Sequence, residues 1–204
     1  MKYQVDTIRQ RIVSILEAEW PATLEGWDKI SDEIRGIRRS PKSLFTRAVA
    51  TIRLARECDI PSILPVAFYE LFTRLTKQPS RYRVRLSTLS RDDLETITTG
   101  GHKINKFLME ASGSCHLDLD SWDCMELEGD ECTTAVYQHW EIVLRDIACN
   151  GDPLTVLREN VKDLANDDDY NESAFGSDCR DMMGSRINNL RKDLFKNLSS
   201  FFIP

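Results

Sequence analysis

The chain has 204 residues, 41% of them apolar and 29% charged, a balance that supports one ample core or two smaller ones and excludes disorder of the whole chain. Its net charge of −6 argues against nucleic acid as the main partner, because phosphate binding needs a basic face. The longest uncharged apolar stretch, Ile60 to Tyr69, contains two prolines and is too short to span a bilayer.

Val5, Ile8, Ile12, Ile15 and Leu16 repeat at helical spacing, with Trp20 near the end and Pro21 as the stop. Lys2, Asp6, Arg9, Arg11, Glu17 and Glu19 interrupt this segment, so it is not a signal peptide, which needs an unbroken apolar run. The expected compartment is therefore cytoplasmic or nuclear. A short turn or helix follows at Thr23, Leu24, Glu25 and Trp27, then a basic link with Arg35, Arg38, Arg39 and Lys42. Ser40-Pro41 reads as a cap followed by proline at the first helical position. From there Leu44, Phe45, Ala48, Ile52 and Ala55 form a stripe that ends at Asp59-Ile60-Pro61. A more apolar helix runs from about Ser62 through Phe68 to Leu75, with Pro65 tolerable only in its first turn. The short break between these two helices predicts a hairpin over residues 41–77.

Residues 81–86 alternate polar and apolar side chains, which allows at most a minor β-ribbon, too short to found a sheet. Ser90 with Asp93 resembles a capping box. The helix it opens holds Leu94 and Ile97, is expected to break at Gly100-Gly101, and resumes through Ile104, Phe107 and Leu108. Residues 112–131 mix Ser, Gly and Asp without a clean period and mark the expected boundary between an N-terminal helical subdomain, 1–111, and a C-terminal one, 112–204. Beyond it, Val136 to Ile147, Asp152-Pro153 to Leu164, and Ile187 to Leu198 predict three further helices, with a polar acidic loop over 166–176. The expected fold is all-α.

Charge is divided unevenly. Residues 1–100 carry 17 Lys and Arg against 13 Asp and Glu, and residues 101–204 carry 10 against 20. Arg35, Arg38, Arg39, Lys42 and Arg47, with Arg81, Arg83 and Arg85, offer a phosphate-binding face to a nucleic-acid-associated regulator, although solvated surface positions are the better explanation in so acidic a chain. Cysteines stand at 58, 115, 124, 132, 149 and 179, and in a reducing compartment disulfides are not expected. Cys115, His116, Cys124 and Cys132, with Cys179, resemble a zinc ligand set only in residue type. A structural zinc site needs close pairs such as C-x-x-C, and the gaps here are nine and eight residues. No metal and no cofactor is therefore expected. His139 beside Trp140 reads as a half-buried structural histidine, and no nucleophile elbow, phosphate loop or dinucleotide fingerprint occurs. A thiol enzyme or hydrolase would need a site with no recognised motif. Trp20 and Trp27 lie beside apolar stripes and suit either core packing or an exposed recognition surface.

Trp20-Pro21-Ala22-Thr23-Leu24-Glu25-Gly26-Trp27-Asp28 resembles the "YPxTLxxWD" segment of a large group of fungal BTB/POZ-domain proteins of basidiomycetes. Ile52 to Cys58 and Ile63 to Tyr69 resemble their "LARExxxxxxLPAAxY" stretch, and Leu89 to Leu94 their "LSxxDL". The tail from Leu194 to Pro204 resembles their "LWxxLPxxFxLP" ending, although this chain lacks the close cysteine pair that members often carry near the position of Cys179. The resemblance implies a helical region that follows a BTB domain, comparable in position to the BACK region of other BTB proteins. It implies a non-enzymatic protein-interaction or scaffold module with a protein partner or a homo-oligomeric contact; no membrane is expected, because no apolar segment is long enough to span one. Trp20, Trp27, Arg35, Arg38 and Arg39 are the candidate contact residues.

Overall fold

A computed structural model describes residues 2–36, 41–77, 86–111, 131–166 and 176–203. Every regular element among them is a helix, so the fold is all-α. The chain divides into two compact units, Met1–Gly101 with Asn197–Pro204, and His102–Lys196. This division falls ten residues before the loop expected to mark the boundary, and it returns the last eight residues to the first unit. Residues 78–85, which include most of the ribbon expected at 81–86, and the loops at 112–130 and 167–175 lie outside the described residues.

The first unit begins with α1 (Lys2–Glu19) and α2 (Leu24–Gly36). Helix α2 is longer than the short turn expected from Thr23 to Trp27. Thr23 starts it, its hydroxyl accepting from the Gly26 N–H at 3.2 Å and its carbonyl from the Trp27 N–H at 3.0 Å. Helix α3 (Pro41–Glu57), a 3-10 turn (Pro61–Ile63) and α4 (Leu64–Lys77) form the expected hairpin. Its corner is a Schellman-type cap: the Ile60 N–H reaches the Ala55 carbonyl at 2.8 Å while Asp59 takes a left-handed φ of 52°. Pro65 falls in the first turn of α4, where its missing N–H leaves no helical bond unmade.

Every residue of α4 from Leu64 to Leu71 is buried, the mark of a helix at the centre of its unit rather than on its surface. Tyr69 meets Trp27 edge to face, with ring centroids 5.7 Å apart. The one carboxylate within this run, Glu70, accepts from Arg74 one turn on at 2.7 and 2.8 Å, which offsets the cost of burying it. Helix α5 (Arg91–Glu110) is tied to the hairpin at its start. The Asp93 N–H donates to the Ser90 hydroxyl, which donates in turn to the Asp93 carboxylate, and that carboxylate also accepts from Arg56 at 3.2 Å. Arg56 lies over the Phe68 ring as well.

Helix α5 does not break at Gly100-Gly101. The glycines stand there because aromatic rings press on the helix backbone. A Cβ on Gly101 would come 2.5 Å from Phe72 Cε2, and one on Gly100 would overlap Cδ1 and Cε1 of Phe202. Phe202 belongs to a short closing helix, α9 (Leu198–Phe202), and stacks on Phe68 with centroids 5.9 Å apart. The helix tolerates two residues of poor propensity, each costing about 1 kcal/mol, because their missing side chains let these aromatics pack.

The second unit takes the remainder of α5, then α6 (Glu131–Asn150), α7 (Pro153–Asn166) and α8 (Ser177–Lys196). Gly151, with φ of 66°, ends α6, and its N–H donates to Ile147 at 2.7 Å. Asp152 caps α7 from just before Pro153, its carboxylate accepting from the Thr155 N–H at 3.3 Å. Val136, Trp140 and Val143 of α6, Leu154 and Leu157 of α7, and Met183, Ile187, Leu190 and Leu194 of α8 are buried. Arg191 is buried among them with its Nε donating to the Leu154 carbonyl at 2.8 Å.

Candidate interaction surface

Helix α1 carries more apolar positions than one face can hold. Leu16 and Trp20 turn inward and are buried, whereas Ile8, Ile12 and Ile15 are 60%, 40% and 52% exposed. The spacing i, i+4, i+7 places these three isoleucines on one side of the helix. They form a solvent-facing stripe, unlike the single exposed leucine or methionine that any folded surface shows. The signal was present in the sequence as two overlapping registers, 8/12/15 and 13/16/20, in one segment.

The inner edge of α1 is fixed to the hairpin corner by polar contacts. Arg9 Nη2 donates to the Cys58 carbonyl at 2.9 Å, and the Ser62 hydroxyl donates to Glu17 at 3.0 Å. Glu19 pairs with Arg47 at 3.0 Å, and the Arg47 guanidinium covers the Trp20 ring at 5.4 Å. Between α1 and the corner runs an open groove of roughly 600 Å³, lined by Arg9, Val13, Glu17, Asp59 and Ser62 among others. It is open to solvent, its lining mixes polar side chains with Val13, Ile60 and Pro61, and it holds no thiol–imidazole pair.

The candidates read from the sequence are placed as follows. Trp20 and Trp27 are 5% and 6% exposed. They are core residues and not the recognition surface offered as their second reading, because Trp20 is covered by Arg47 and Trp27 by Tyr69. Arg35 lies on α2 with its side chain outside the described residues, and Arg38 and Arg39 lie wholly outside them. Cys115, His116 and Cys124 are outside them too, and Cys132 is described only as backbone in the first turn of α6. Cys179 is buried on α8. Among the described residues no three His, Cys, Asp or Glu side chains gather as a metal site. His139 is half-buried, with Nε2 3.1 Å from Asn160 Oδ1 on α7, a structural role. No helix among the described residues is long and apolar enough to cross a membrane.

Comparison with family models, with curated proteins and with solved structures gives no match.

Proposed function

We propose that this chain is a non-enzymatic protein–protein interaction module whose contact face is the outward side of α1. The observation that carries this reading is the stripe of Ile8, Ile12 and Ile15, left in water by a helix whose other apolar side is already packed. The resemblance to the helical region after the BTB domain of fungal BTB proteins supports the same role, that of a scaffold or recruiting arm working in the cytoplasm or nucleus.

The test compares wild type with Ile12→Asp as bait. Ile12 is already partly in water, so the variant should keep its thermal midpoint while losing the proteins that wild type captures. Capture of the same set by both baits would remove α1 from the contact face.

A further inference from the structure

We propose that Asn150 is a site of spontaneous deamidation, at a rate set by fraying of the last turn of α6. Among the asparagines of the chain only Asn150 is followed by glycine, and no aspartate is. Glycine in that place favours the reaction, because no Cβ shields the main-chain nitrogen and the backbone turns freely. Hydroxide removes the proton from the Gly151 nitrogen, which then attacks Cγ of Asn150. The new C–N bond closes a five-membered succinimide, the bond from Cγ to the side-chain nitrogen breaks, and ammonia leaves with a proton from water. Water then opens the ring. Cleavage at Cγ leaves aspartate, and cleavage at the main-chain carbonyl leaves isoaspartate. No oxidant or reductant takes part.

The fold treats the two reacting groups differently. Asn150 is exposed at the end of α6, as are Ala148 and Cys149, so water reaches its side chain. Gly151 is buried, and its N–H donates to the Ile147 carbonyl at 2.7 Å. That bond holds the proton the reaction must remove, and closing the ring would break it. The intact helix end therefore protects Asn150, and deamidation waits for the turn to open. Ile147 is buried but the three residues after it are exposed, the make-up of a turn that opens locally well before its unit unfolds. Either product hinders reclosure. A carboxylate at position 150 stands at the negative end of the helix dipole, one turn after Asp146 and two residues before Asp152. Isoaspartate also adds a methylene to the main chain between Ile147 and Gly151, which takes the Gly151 N–H out of register with its acceptor. The change runs one way and accumulates with the age of the molecule.

The full chain is incubated in mildly alkaline buffer, folded or in urea, and residue 150 is followed by peptide mass spectrometry. In urea Asn150 should convert before any other asparagine, with isoaspartate in excess of aspartate as ring opening requires. In the folded chain the conversion should be at least about tenfold slower. Ala148→Gly weakens the helix end at an exposed position and should speed the folded-state reaction about fivefold, with the circular dichroism spectrum unchanged. Phe68→Ala, which destabilises the first unit, should leave the rate as it is. Hydrogen exchange reads the same opening without a substitution, and the Gly151 amide should exchange faster than that of Val143 within α6. Equal rates in buffer and urea would overturn protection by the helix end. Acceleration by Phe68→Ala, or exchange at Gly151 as slow as at Val143, would make whole-chain unfolding the gate and overturn the proposal. Aspartate without isoaspartate would mean direct hydrolysis and overturn it as well.

Discussion

Two helix-interior glycines should respond to the same substitution with opposite sign. Replacing glycine by alanine in a helix gains about 1 kcal/mol from propensity and from the smaller entropy of the unfolded chain. At Gly184 on α8, an added Cβ would find its nearest neighbour, Leu164 Cδ1, 4.0 Å away, an ordinary contact, so Gly184→Ala should keep that gain. At Gly100 the same carbon would overlap the Phe202 ring, which is 1% exposed and stacked on Phe68. A ring that shifts in place incurs an overpacking cost of about 1–3 kcal/mol. A ring driven out of the core costs about 3–5 kcal/mol, as its deletion would. After the propensity gain, Gly100→Ala should lose up to about 2 kcal/mol in the first case and about 2–4 in the second. At about 2–4 °C per kcal/mol for a chain of this size, calorimetry resolves both signs. In a Phe202→Ala background, where the obstructing ring is gone, Gly100→Ala should turn into a gain of about 1 kcal/mol. If Gly100→Ala and Gly184→Ala raise the midpoint alike, the close approach of Phe202 to α5 is wrong.

Phe68→Ala should lower stability by about 3–5 kcal/mol, because Phe68 is fully buried between Phe202 and the Arg56 guanidinium. Thermal denaturation followed by circular dichroism reads the loss, and an unchanged midpoint would contradict its place in the core. Asp59→Gly should raise stability by about 0.5–1 kcal/mol, since glycine adopts the left-handed corner without steric cost. Urea titration is the measurement, and a fall in midpoint would show that the Asp59 side chain stabilises the corner in its own right.

The helices were legible because their apolar periodicity and end signals agree. Pro41, the Asp59-Ile60-Pro61 break and Asp152-Pro153 each stand where a helix starts or stops. The hairpin followed from two apolar stripes joined by a very short turn. Gly100-Gly101 misled for a physical reason: a glycine pair looks the same in sequence whether it ends a helix or clears space for a neighbour. The neighbour here, Phe202, lies about a hundred residues away along the chain. The tryptophans were ambiguous for a similar reason, because Arg47 and Tyr69, which cover them, cannot be assigned from local spacing. The exposed side of α1 was readable in principle, since Ile8, Ile12 and Ile15 lie off the register of Leu16 and Trp20. Periodicity alone does not say which of two apolar stripes finds a cover.

Because Asn197–Pro204 packs with Met1–Gly101, the order of synthesis is not the order of assembly. A ribosome adding about 5–20 residues per second must translate all of His102–Lys196 before Phe202 exists, a wait of roughly 5–20 s. During that interval the nascent Phe68 and the bare backbone of Gly100 have no ring to close over them. A premature stop anywhere in the second unit would therefore damage the first, and such a lesion would show itself as aggregation of a segment whose own codons are intact.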